Sequence, residues 1–349
     1  MTPRCPILRA VSGTDLPELQ ELERVIALGA EHLRCAVACR VQVGDREVPV
    51  HAIVLGGEDR SLPAIGYFGG IHGLERIGTR VVTAFLHSLL MRLPWDESLR
   101  HLLQRVRVVF MPLVNPAGMA RDTRANAAGV DLMRNAPVDA EPPVIPLLGG
   151  HRISPWLPWY RGAAGASMQP ESAAVCEWVE RELHGRPFSM AIDCHSGFGL
   201  RDRLWFPFAH RRAPMAPLAE LHALHAIFVR SHAQHTYIVE PQSSQYLTHG
   251  DLWDHLLLRA PGPGVFLPLT LEMGSWLWVR KNPRQLFSRA GIFNPLVAHR
   301  EQRVLRRHLP LLDFMLRATA SHAQWQPAAA EREAHRRSAM HRWYGAAPA

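Results

Sequence analysis

Between residues 14 and 29, apolar side chains recur at helical spacing. Leu19, Leu22, Val25 and Ile26 share one face, Thr14 or Asp15 is placed to cap the start, and Gly29 is placed to end it. The period then changes. Short β-like runs at 41–43, 48–55 and 64–68 are split by Gly-Asp and Gly-Gly-Glu-Asp turn signals. A Gly-rich loop follows at 69–73. Residues 79–93 return to helical spacing, with Val81, Val82, Phe85, Leu89 and Leu90 as the buried face.

The run 106–114 is almost continuously apolar, as suits a strand covered on both faces. Residues 136–168 are rich in Pro and Gly and carry Trp156 and Trp159, which predicts a long irregular excursion. A helix is expected near 171–183, a buried strand at 188–194, a helix at 214–231, a strand at 265–273 and mostly helix over 291–318. Alternating strands and helices predict an α/β fold with a mixed, largely parallel central sheet flanked by helices. Its site is expected at the C-terminal ends of the strands. Beyond about residue 320 the apolar period fades into an Ala-, Arg- and His-rich stretch. The chain therefore divides into a single catalytic domain over 1–320 and a basic, poorly packed tail over 321–349.

Composition narrows the function. The 349 residues are 47% hydrophobic and 20% charged, enough for a large core and too apolar for disorder throughout. No stretch reaches the roughly 20 apolar residues of a membrane span. The N-terminus lacks an apolar secretory segment. The expectation is a cytoplasmic protein with no membrane partner. The net charge of +8 does not predict a nucleic-acid partner, because the arginines are scattered and Lys281 is the only lysine. Five cysteines, an odd number with no C-x-x-C pair, argue against a thiolate metal site and suit free thiols in a reducing compartment.

Three residues stand out by position. His72 and Glu75 lie three apart in the loop after a predicted strand, and His195 directly follows the apolar strand ending at Cys194. Two ligands from one tight loop and a third from a distant strand end would leave an open coordination position, as catalytic zinc requires. With 20 histidines in the chain, a His-x-x-Glu pair also arises by chance. Gly69, Gly70 and Gly73 add the capacity for sharp turns and close approach around the pair.

Five segments resemble, in order, those of the zinc carboxypeptidases of the carboxypeptidase A type, the M14 metallocarboxypeptidases. Gly70-Ile71-His72-Gly73-Leu74-Glu75 resembles the family's metal motif. Asn115-Pro116-Ala117-Gly118 is similar to its Asn-Pro-Asp-Gly. Residues 124–135, RANAAGVDLMRN, resemble the Arg-x-Asn-x-x-Gly-Val-Asp-Leu-Asn-Arg-Asn block of bacterial members. Asp193-Cys194-His195-Ser196-Gly197 is similar to the strand end with the third ligand, and Thr270-Leu271-Glu272 to the strand with the catalytic glutamate.

The resemblance implies one Zn2+ on His72, Glu75 and His195, with Glu272 as general base toward a zinc-activated water. It implies that Arg124, or Arg121 nearby, stabilises the oxyanion, and that Asp131 accepts a hydrogen bond from His72. It implies that Arg134 and Asn135 hold the substrate carboxylate, that Tyr246 closes over substrate and that Trp253 forms the base of the side-chain pocket. Met133, Leu74 and Ala117 depart from the family pattern, so substrate recognition is expected to differ from the family's. The reading is a metallocarboxypeptidase acting on a peptide with a free carboxylate. The alternatives are an N-acyl amino acid amidohydrolase of the aspartoacylase and succinylglutamate desuccinylase type, and a zinc-binding protein without turnover. The sequence leaves the oligomeric state open.

Overall fold

The computed structural model describes residues 16–345. Its centre is one eight-stranded sheet. The strands are β1 (Arg34–Val43), β2 (Arg46–Gly56), β3 (Ala64–Gly69), β4 (Arg107–Met111), β5 (Phe188–Ser196), β6 (Arg203–Phe206), β7 (Ile238–Pro241) and β8 (Val265–Met273), in the order β1-β2-β4-β3-β5-β8-β6-β7. The central pairs β4/β3, β3/β5 and β5/β8 are parallel; β1/β2, β2/β4 and β6/β8 are antiparallel. This is the mixed α/β architecture that the alternating pattern predicts. Every residue of β3, β4 and β5 is buried, so their unbroken apolar runs are those of strands covered on both faces.

Helices flank the sheet: α1 (Pro17–Leu28), α2 (Arg76–Arg92), α3 (Glu97–Gln104), α4 (Pro116–Ala120), α5 (Pro170–Glu182), α6 (Leu218–Ser231), α7 (Leu252–Arg259), α8 (Trp276–Lys281), α9 (Arg289–Phe293), α10 (Ala298–Ala320) and α11 (Ala329–Tyr344). On α2, the predicted face of Val81, Val82, Phe85, Leu89 and Leu90 is buried. The proposed caps Thr14 and Asp15 lie outside the described residues, as does the N-terminal stretch behind the cytoplasmic expectation. No helix among the described residues is long and apolar enough to cross a membrane.

The expectation of a poorly packed tail needs correction. Residues 329–344 form α11, which lies against α6. Trp343 packs edge-to-face on Phe206 at 5.0 Å, and its Nε1 donates to the Val239 carbonyl at 2.8 Å. Ala339 is fully buried, and Arg332 pairs with the buried Glu220. A few anchors at wide spacing dock this helix, so it shows no strong apolar period.

Candidate active site

The C-terminal ends of β3, β5 and β8 meet at one edge of the sheet. Gly70 leaves β3 with φ +65°, a left-handed conformation that favours glycine. A Cβ on Gly73 would lie 2.0 Å from the backbone of Gly118, so the loop carrying His72 packs directly on the Asn115–Gly118 turn. Asn115 holds that turn together: its Oδ1 accepts from the Gly118 N–H, and its Nδ2 donates to the Ile71 carbonyl. The Asn-Pro-Ala-Gly segment is thus the floor under the metal loop.

His72, Glu75 and His195 converge here, all buried. They are the one group among the described residues whose ligating atoms could hold a metal ion, lying within 4.8 Å of one another. His72 Nδ1 is 2.8 Å from Glu75 Oε1, His195 Nδ1 is 3.0 Å from Glu75 Oε2, and the two Nδ1 atoms are 3.1 Å apart. Tetrahedral zinc at about 2.0–2.1 Å from its ligands sets them roughly 3.3 Å apart, and two imidazoles with one carboxylate are a zinc donor set. The residues present fit zinc.

Each histidine is backed by a carboxylate on its other nitrogen. His72 Nε2 is 3.1 Å from Asp131 Oδ1, and His195 Nε2 is 2.6 Å from Asp193 Oδ2. Burial alone would lower the His195 pKa, but the Asp193 and Glu75 carboxylates outweigh it and hold the imidazolium well above its usual range. Burial likewise pushes Glu75 up, yet His72 and His195 pull its carboxyl far below the usual value.

Glu272 stands opposite. On β8 it is in register with His195 on β5, which brings it to the metal triad through strand pairing alone. Its Oε1 accepts the Phe198 N–H at 3.0 Å. Burial, then the negative charge of Glu75, pushes its pKa up to about 8. A carboxylate held near neutrality beside a metal site is suited to taking and returning a proton.

Asp131 is the hub of the positive wall. It is fully buried, and its Oδ2 accepts from Arg124 Nε at 2.8 Å and from Arg134 Nη1 at 3.0 Å. Burial opposes its charge, but the two guanidiniums hold its pKa well below the usual carboxylate value. Arg124 also reaches Glu75 Oε1 at 3.4 Å, whereas Arg121 is turned outward onto the Ala127 carbonyl. Both Arg124 and Arg134 line the cleft, together with Met133, Tyr246 and Glu272. Tyr246 is half-buried against Phe198 and Trp205.

Two expected substrate contacts lie elsewhere. The Asn135 amide is used within the protein: Nδ2 donates to the Arg161 carbonyl and Oδ1 accepts from the Gln169 N–H, tying down the 161–169 segment. Trp253 is 2% exposed and sits behind the cleft wall, where Nε1 donates to Asp193 Oδ2 at 2.9 Å. Cleft residues that sequence reasoning missed include Phe198, Trp205, Thr248, Asp251 and Thr270. Of these, Asp251 carried a readable signal, as the Asp that caps α7 through the Asp254 N–H. Burial, then the neighbouring Asp254, raises its pKa well above the usual value.

A family model described as zinc carboxypeptidase matches residues 43–262, more than half of the chain. Carboxypeptidase SOL1 of Arabidopsis thaliana is 31% identical over 81 residues, which are 23% of this chain and 16% of that protein. The chain thus spans under a fifth of that relative's length. Thrombin-activatable fibrinolysis inhibitor superposes with a TM-score of 0.63 at 20% identity, covering 86% of this chain and 71% of that one. A metallo-carboxypeptidase from Burkholderia cenocepacia superposes at 0.51 and 18% identity, covering 85% and 68%. These structures share the fold, and the family match carries both segments with the predicted metal ligands. The chain belongs to the zinc carboxypeptidase family, the M14 peptidases.

Proposed function

We propose that this protein is a zinc-dependent metallocarboxypeptidase that hydrolyses the last peptide bond of a substrate with a free C-terminal carboxylate. One observation carries the reading. A buried His-Glu-His triad, a carboxyl with pKa near 8 and two arginines line a single cleft. His72, Glu75 and His195 would hold the zinc, which would supply Lewis acidity at the floor of this cleft.

The chain's own groups supply the remainder. Glu272 takes the proton from the attacking water and returns it to the leaving amine. The Arg124 guanidinium, held in place by Asp131, donates to the oxygen on which negative charge develops. Arg134, almost wholly buried, offers its planar fork to the terminal carboxylate. Tyr246, which lines the same cleft against Phe198 and Trp205, covers the bound residue. Asp251, Thr248 and Thr270 line the cleft with polar groups, which favours a polar substrate side chain.

The test is to incubate the zinc-loaded protein with a peptide mixture and with a panel of N-acyl amino acids, and to follow products by mass spectrometry. Stepwise loss of C-terminal residues is the expected result. Turnover confined to acyl amino acids would replace this reading with the amidohydrolase one.

A further inference from the structure

Both candidate zinc-binding histidines rest on carboxylates, but the two supports are built differently. Behind His72, Asp131 is held by Arg124, Arg134 and the Met133 N–H. Behind His195, no arginine of the described residues holds Asp193. Among the described residues, its Oδ2 receives His195 Nε2 at 2.6 Å and Trp253 Nε1 at 2.9 Å, while its buried Oδ1 has no hydrogen-bond partner. The indole N–H is therefore what orients this carboxylate.

Trp253 is itself rigidly placed. Its ring packs edge-to-face on Phe68 at 5.0 Å, and Phe68 lies on β3 four residues before His72, paired in register with Asp193. The next residue on α7, Asp254, takes the backbone N–H groups of Ala209 and His210 and the His210 ring, which anchors the helix turn. One side chain thus bridges the two strands that deliver the histidines.

We propose that Trp253 and Asp193 form a positioning relay that aims His195 Nδ1 at the metal. With Trp253 Nε1–H on Asp193 Oδ2, the carboxylate keeps the His195 proton on Nε2 and the ring in one orientation, leaving the Nδ1 lone pair toward His72 and Glu75. Groups of this kind behind a metal-bound histidine typically change metal affinity by about 10–100-fold. Trp253 touches neither substrate nor metal; it acts through His195. This inference rests on the zinc ligand assignment above.

The experiment measures zinc affinity by chelator competition in wild type, Trp253→Phe and Asp193→Asn, with the Co2+ d–d spectrum of each as a geometric readout. Phenylalanine keeps the contact with Phe68 and removes only the N–H. The expected result is about a tenfold or greater loss of zinc affinity and a shifted cobalt spectrum in Trp253→Phe, with its metal-free melting temperature close to wild type. If that variant fails to fold, Asp193→Asn decides on the same two readouts. Unchanged affinity and spectrum in a folded variant would overturn the relay and leave the ligand set standing. A wild type that binds no zinc would overturn both.

Discussion

Replacing Asp131 by Asn keeps the shape of a fully buried side chain and deletes its charge. In the native protein that charge faces two guanidiniums, Arg124 Nε at 2.8 Å and Arg134 Nη1 at 3.0 Å, as well as His72. The amide turns at least one donor toward another donor and strands the buried Arg134 without its counter-charge. Removing one partner of a buried pair costs about 3–5 kcal/mol. A chain of 349 residues unfolds with an entropy near 0.7 kcal/mol/K, at about 2.1 cal/mol/K per residue. The metal-free variant is thus expected to melt about 4–7 °C below wild type by calorimetry. Zinc affinity should fall as well, because His72 loses its acceptor. A metal-free melting temperature within about 1 °C of wild type would show that Asp131 does not carry these pairs, and the reasoning about the positive wall would fail.

Glu272→Gln should keep zinc and lose turnover by about 10²–10⁴-fold, the range of a general base; a variant with wild-type kcat refutes that role. Arg134→Met should raise KM for free peptides, and C-terminally amidated peptides should be poor substrates of the wild type; equal turnover of acid and amide would remove Arg134 from carboxylate binding. Zinc binding at pH 7 should release at least one proton. In the metal-free protein, Asp193 and Glu75 raise the His195 pKa well above its usual value, and burial beside Glu75 lifts Glu272 to about 8; a bound dication favours the deprotonated form of each. Affinity should accordingly rise with pH, and titration calorimetry in buffers of different ionisation enthalpy reads the protons directly. Heats independent of buffer would contradict it.

Much of the scaffold was legible because burial on both faces writes itself as an unbroken apolar run. Residues 188–194 and 265–273 are strands for that reason, and their polar endings, His195 and Glu272, stood out against them. The short strand β6 and the edge strand β7 beside it were not legible: four residues each, with β7 mostly half-exposed, leave no period to read. α7 was missed because eight residues give little period to read, and the family resemblance pointed there only to Tyr246 and Trp253. Trp253 was placed in the pocket by that resemblance, whereas its indole N–H faces a carboxylate on β5, a contact made across 60 residues that spacing does not encode. Asp193 was passed over as a strand residue; its place two before His195 puts both side chains on one face of the strand. Asn135 sits in a motif that resembles the family's, yet its amide serves the 161–169 loop.

The central claim is that His72, Glu75 and His195 are a zinc site. Elemental analysis of the purified protein after zinc loading and desalting tests it most directly, with His195→Ala beside wild type. The account predicts one zinc per chain in wild type and loss of that zinc in the variant. Undiminished zinc in His195→Ala, or none in wild type, would contradict it.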